Sequence, residues 1–100
     1  MVAQENSQDF ILKVKRVLGE LTSLLAEKNK NYGNSALAPL NIFFKDDLPI
    51  DTMICKRIDE KLTRIQNADT LRKNDVVDVM GYLTLLCIQE GWFDFTDLYD

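Results

Sequence analysis

Phe10, Ile11, Val14, Val17, Leu18, Leu21, Leu24 and Leu25 recur at spacings of three and four residues. That period gathers them on one face of a helix, whereas a half-buried strand would alternate every second residue. Ser7 or Asp9 suits the start of this helix as a cap. Its end is expected within residues 28–35, where Asn and Gly tolerate left-handed backbone angles. Ile54, Ile58, Leu62 and Ile65 repeat the pattern in a second long helix. Asp51 is its natural N-cap, Ile50 can staple to Cys55, and the helix should end near Asn67. A third long helix is expected from a cap at Asn74 to about Glu90, with Gly91 as its stop. It is apolar almost all round, through Val76, Val77, Val79, Met80, Leu83, Leu86, Cys87 and Ile88. Such a helix belongs at the centre of a bundle or inside an oligomer. Between the first two helices, residues 36–44 contain Pro39 and predict one or two helical turns that bury Leu40, Ile42, Phe43 and Phe44; residues 45–49 read as a loop.

No period-two pattern, repeat or low-complexity tract interrupts this reading. The expected fold is therefore all-α, a compact bundle of three long helices plus one short helix in a single domain over 1–100. Residues 1–8 form a polar lead, and 92–100 an acidic aromatic tail expected to pack Trp92, Phe93, Phe95 and Leu98 onto the bundle or a second subunit. At 100 residues the chain buries only about 60–65% of its unfolded surface. Together with the apolar third helix this predicts a homo-oligomer.

Charge and residue usage exclude several functions. The net charge of −4 opposes general binding to nucleic-acid backbone, so an anionic ligand would need a local cluster of Lys and Arg. The absence of histidine removes Ser-His and Cys-His catalysis and the commonest general base. Cys55 and Cys87 lie on apolar helix faces and are expected to be buried free thiols rather than zinc ligands. The polar N-terminus does not read as a signal peptide, and no apolar run reaches the roughly 20 residues of a membrane span. The expected setting is cytoplasmic, in a bacterium or in a cell infected by a virus, with no membrane association.

Three groups of residues are suited to chemistry. Lys28, Lys30, Asn31, Tyr32 and Asn34 join cations, amides and an aromatic ring at a helix end, a mixture that fits a phosphate and a base. As plain structure they would be a helix C-cap with lysines at the negative end of the dipole. Arg57, Lys61 and Arg64 form a narrow stripe bordering the apolar face of the second helix, where forked guanidinium contacts can hold phosphate. The plainer alternative is a solvated face with Glu60 and Arg64 paired. Asp75 and Asp78 share one stripe of the third helix with Tyr82 and Gln89. Two carboxylates at this spacing can hold Mg²⁺, though Asp75 equally suits a helix N-terminus.

The segments Glu27-Lys28-Asn29-Lys30-Asn31-Tyr32-Gly33-Asn34-Ser35, Arg57-Ile58-Asp59-Glu60-Lys61-Leu62-Thr63-Arg64-Ile65 and Asn74-Asp75-Val76-Val77-Asp78-Val79-Met80-Gly81-Tyr82-Leu83 resemble the nucleotide modification associated domain 1 family. These are small proteins found largely in phages and prophages, and the resemblance spans roughly residues 12–90. That family is similar in turn to the all-α nucleotide pyrophosphohydrolases of the MazG and dimeric dUTPase type. Those enzymes bind Mg²⁺ through two acidic pairs on facing helices. Asp75 and Asp78 match the second pair; the first is missing, because Arg57 stands three before Glu60, and Glu20 and Glu27 are seven apart.

The resemblance implies a nucleotide pocket, and the broken metal site implies binding without hydrolysis. The expected function is sequestration of a phosphorylated nucleotide-derived ligand, such as a cyclic nucleotide or cyclic ADP-ribose type signal of host defence, with no catalytic residues and no cofactor. The alternatives are a Mg²⁺-dependent nucleotide pyrophosphohydrolase using Asp75 and Asp78, and an oligomeric adaptor with no small ligand.

Overall fold

The computed structural model describes residues 3–31 and 49–100, with side chains over 6–30 and 49–100. Three long helices and one 3-10 turn make up the described structure: α1 (Ala3–Asn31), α2 (Ile50–Asn67), α3 (Lys73–Glu90) and the turn Thr96–Leu98. Among the described residues there is no strand, so the protein is all-α. The short helix expected over 36–44 lies outside the described residues. The chain divides into two compact units, 1–34 and 35–100.

The first unit is built on α1. This helix starts at Ala3, so the expected polar lead is already helical and neither Ser7 nor Asp9 is its cap. Asp9 instead sits inside the helix, its carboxylate 2.9 Å from Lys13 Nζ one turn on. The acidic residue precedes the lysine by four, the favourable order along a helix. The helix ends at Asn31 with Lys28 and Lys30 in its last turn, where cations meet the negative end of the dipole. Of the apolar stripe only Leu21 is buried; Phe10, Ile11, Val17, Leu18 and Leu24 are exposed.

The second unit is an α-hairpin. Five residues join α2 to α3, a connection that forces antiparallel neighbours. Two ion pairs fix the register: Lys61 with Asp78, and Arg64 with Asp75. Three residues forward on α2 thus correspond to three back on α3. Extending that register sets Ile58 level with Gly81 and Ile54 level with Leu85. Ile54 and Gly81 are both buried. Burial of the Ile54 side chain contributes about 1.5–3 kcal/mol. Ile58 and Ile65 are half-buried, but Leu62 is exposed, so the expected buried stripe of α2 is narrower than its sequence period.

The helix ends differ from expectation by one or two residues. Pro49, not Asp51, is the N-cap of α2, and its carbonyl accepts from Met53 N–H at 3.0 Å. Proline presets the extended angles that enter a helix and has no N–H to leave unpaired. Asp51 lies in the first turn and accepts from Thr52 N–H at 2.8 Å, which still places a negative charge at the positive end of the dipole. Likewise α3 begins at Lys73 after Arg72, ahead of Asn74. At the other end Gly91 adopts φ 76°, its N–H donates to Ile88 O at 3.1 Å, and Trp92 N–H donates to Cys87 O at 2.8 Å. This paired closure requires a left-handed residue, which glycine adopts without a Cβ clash.

Two further expectations are corrected. Cys55 is exposed and Cys87 half-buried, because Cys55 falls beside, not on, the narrow contact face around Ile54. Trp92, Phe93, Phe95, Leu98 and Tyr99 are all exposed, so among the described residues the tail is not buried on the hairpin; the other expected packing, on a second subunit, is untouched by this. The tail is locally ordered: Leu98 N–H donates to Phe95 O at 2.9 Å, and Asp94 accepts from Thr96 N–H at 2.9 Å.

Candidate functional site

The basic stripe of α2 and the acidic stripe of α3 face each other across the hairpin. Lys61 Nζ lies 3.0 Å from Asp78 Oδ2, and both side chains are about four-fifths buried (19% and 20% exposed). One turn farther, Arg64 Nε lies 3.7 Å from Asp75 Oδ1. Arg72, just before α3, brings its Nε to 3.8 Å from Asp75 Oδ2. Arg57 turns outward and meets Glu60 at 3.3 Å on its own helix. The pairing of Glu60 with Arg64, offered above as the plainer reading, is thus replaced by Glu60–Arg57 and Asp75–Arg64.

Asp75 is the centre of this cluster. Its side chain is wholly buried, and neither carboxylate oxygen has a hydrogen-bond partner. The two guanidiniums stand just beyond hydrogen-bonding distance, so they balance its charge without replacing the hydrogen bonds that water would supply. Burial of an ionised carboxylate is costly unless opposite charge is close. Arg64 and Arg72 meet that need through Nε while their side chains remain more than half exposed (53% and 56%). The Nε contact uses one edge of the planar fork, and the terminal nitrogens reach farther from the backbone. Each arginine therefore has a side anchored by Asp75 and an end suited to a second anion.

Among the described residues, the ion pairs of the hairpin join four cations (Arg57, Lys61, Arg64, Arg72) and three carboxylates (Glu60, Asp75, Asp78) on a chain of net charge −4. The structure brings Lys61 and Arg64 together with Asp75 and Asp78; Arg57 stands apart with Glu60. Tyr82, on the same stripe, is half-buried and Gln89 is exposed. Lys28 is half-buried and Lys30 exposed at the end of α1 in the other unit. The side chain of Asn31, and Tyr32 and Asn34, lie outside the described residues. Arg72 was missed by the sequence reading because it falls in the connection rather than on a helical stripe; its spacing of three before Asp75 was the available signal.

The donor set fits Mg²⁺ poorly. A magnesium site wants hard oxygen ligands in octahedral array, but Asp75 and Asp78 face Arg64, Arg72 and Lys61, whose charges oppose a second cation. Among the described residues no three His, Cys, Asp or Glu side chains gather into a possible metal site. No described helix is long and apolar enough to cross a membrane. Comparison with family models, curated proteins and solved structures gave no match.

Proposed function

We propose that this protein binds a phosphorylated nucleotide-type ligand and holds it without hydrolysing it. The observation that supports this reading is the pair of half-exposed arginines, Arg64 and Arg72, anchored from below by the buried Asp75. A guanidinium oriented by a buried carboxylate loses less freedom when it grips a phosphate, so more of the contact energy appears as affinity. Lys61 and, at its far end, Arg57 extend the same basic stripe of α2. Cation placement of this kind suits phosphates in a ring or a chain, including a cyclic nucleotide or a cyclic ADP-ribose type signal. Sequestration of such a signal is the role that best joins this site to the resemblance described above. The poor fit to Mg²⁺ weighs against the alternative of a pyrophosphohydrolase built on Asp75 and Asp78.

The test uses conservative variants, because removing either arginine also disturbs Asp75. Arg64→Lys and Arg72→Lys keep a positive charge opposite Asp75 but lose the planar fork. Material released from the purified protein by heat is identified by mass spectrometry, then titrated calorimetrically into wild type and both variants in EDTA. Expected are intact release, binding that persists in EDTA, and affinity lower by about tenfold in each variant, since a charge-assisted hydrogen bond contributes about 1.5–3 kcal/mol. Release of hydrolysed products alone, or binding that vanishes in EDTA, would transfer the reading to the enzyme. Unchanged affinity in both variants would remove the arginine pair from the site.

A further inference from the structure

The antiparallel register adds a third rung to the polar seam of the hairpin. Arg64 is level with Asp75 and Lys61 with Asp78, which sets Arg57 level with Tyr82. Steps of three and four residues keep each set on one side of its helix. The rungs are not alike. At the first two, a cation meets a carboxylate across the helices. At the third, Arg57 turns away to Glu60 on its own helix. Tyr82 stands there half-buried, engaged by no described hydrogen bond or ion pair. The ends of the seam also differ in charge. Arg57 and Lys61 each pair with a carboxylate of their own, Glu60 and Asp78, whereas Arg64 and Arg72 share Asp75. Asp69 and Lys73, exposed nearby in sequence, add one charge of each sign. The seam therefore runs from an aromatic ring to two arginines that share one carboxylate. Asp75 and Tyr82 are seven residues apart on α3, roughly 10 Å along its axis. That is the order of the separation between the base of a nucleotide and its phosphates.

We infer that a nucleoside phosphate lies lengthwise on this seam, its phosphate on Arg64 and Arg72 and its base against the ring of Tyr82. The inference rests on the phosphate grip proposed above for the arginine pair; it adds the direction of the ligand and the group that takes the base. The direction follows from the two ends. Arg64 and Arg72 are the less neutralised cations of the seam, so the phosphate belongs with them. An aromatic ring offers a phosphate little, but it offers a base a face to stack on. The sugar then lies over the Lys61–Asp78 pair, which is four-fifths buried and already matched. Every base has a π-face, so a Tyr82 platform holds purines and pyrimidines alike and selects nucleotides over sugar phosphates.

The test compares two probes that carry the same phosphate, adenosine 5′-monophosphate and ribose 5-phosphate, by calorimetric titration in EDTA. Wild type should bind the nucleotide about tenfold more tightly than the sugar phosphate, the order of one base–aromatic stack. Tyr82→Leu should remove most of that advantage and leave the affinity for ribose 5-phosphate unchanged. Tyr82→Phe, which keeps the ring, should retain it. Arg64→Lys should instead weaken both probes together. Unchanged binding of ribose 5-phosphate by Tyr82→Leu also shows that this variant keeps its fold. A wild type that binds both probes equally, a Tyr82→Leu variant that binds the nucleotide as tightly as wild type, or one that loses both probes alike would overturn the inference. A wild type that binds neither probe would remove the phosphate grip itself and the seam with it, a result distinct from the other three.

Discussion

Asp75 shows how one residue can decide what its neighbours are for. On the helix it is only a carboxylate in the first turn; in the hairpin it is wholly buried, with Arg64 and Arg72 as its charged neighbours. The two sides of this cluster should respond unequally to mutation. Asp75→Asn leaves two arginines that water can still reach, and should cost about 1–3 kcal/mol of stability. Removing both counter-charges by Arg64→Ala with Arg72→Ala strands a buried carboxylate and should cost more, about 3–5 kcal/mol. Urea denaturation of both variants checks the order, and a larger loss in Asp75→Asn would contradict it. Gly19 makes a simpler residue-level case. It lies in the middle of α1 opposite the apolar stripe, and a Cβ added there meets nothing within 4 Å. Gly19→Ala should raise stability by about 0.5–1 kcal/mol by narrowing the unfolded ensemble. A thermal melt that shows no rise, or a fall, would mean that α1 is held less regularly than described.

Among the elements, the hairpin is governed by its polar contacts as much as by its apolar ones. Lys61–Asp78 and Arg64–Asp75 specify the antiparallel register, while α3, apolar on nearly every side, carries little directional information of its own. The 3-10 turn at Thr96–Leu98 is governed by Asp94. The N–H of Thr96, and then its hydroxyl, hold the Asp94 carboxyl below its ordinary value. A folded value below the unfolded one means stability that is complete above the ordinary carboxylate range and lost as pH falls through the lowered folded value. The turn should therefore open only in acid, below about pH 4. The Thr96 amide resonance should shift with that titration, and Asp94→Asn should remove most of the pH dependence. A Thr96 shift that is flat from pH 6 to pH 2 would contradict the contact.

For the whole molecule, the exposed residues matter more than the buried ones. Leu21 and Ile54 are the buried hydrophobic side chains among the described residues, against fifteen large hydrophobic side chains that are exposed. That balance leaves apolar surface on the described residues that a partner would cover, as the expected homo-oligomer requires. If association stabilises the fold, the melting temperature should rise with protein concentration, because the folded dimer is favoured by mass action over unfolded monomers. Melts across a hundredfold range of concentration would show this, and a constant midpoint would count against it. The same comparison with added ligand separates stabilisation by binding from stabilisation by pairing.

Local periodicity determined the helices. Apolar spacing at α1 and α2 and the glycine at 91 act within a few residues, so they are legible from the chain itself; even the one- or two-residue errors at Pro49 and Lys73 concern which local cap prevails. The sequence also displayed the basic stripe and the two aspartates, but as separate features suited to phosphate and to metal. Only the tertiary pairing of α2 with α3 showed that they face one another, with Lys61 and Arg64 balancing Asp78 and Asp75 and with Arg72 joining from the connection. The burial of Asp75, the exposure of Leu62 and Cys55, and the uncovered tail were equally beyond periodicity. A helical repeat states which residues share a face, but not how much of that face a neighbour covers, because coverage depends on the register and closeness of a segment distant in sequence.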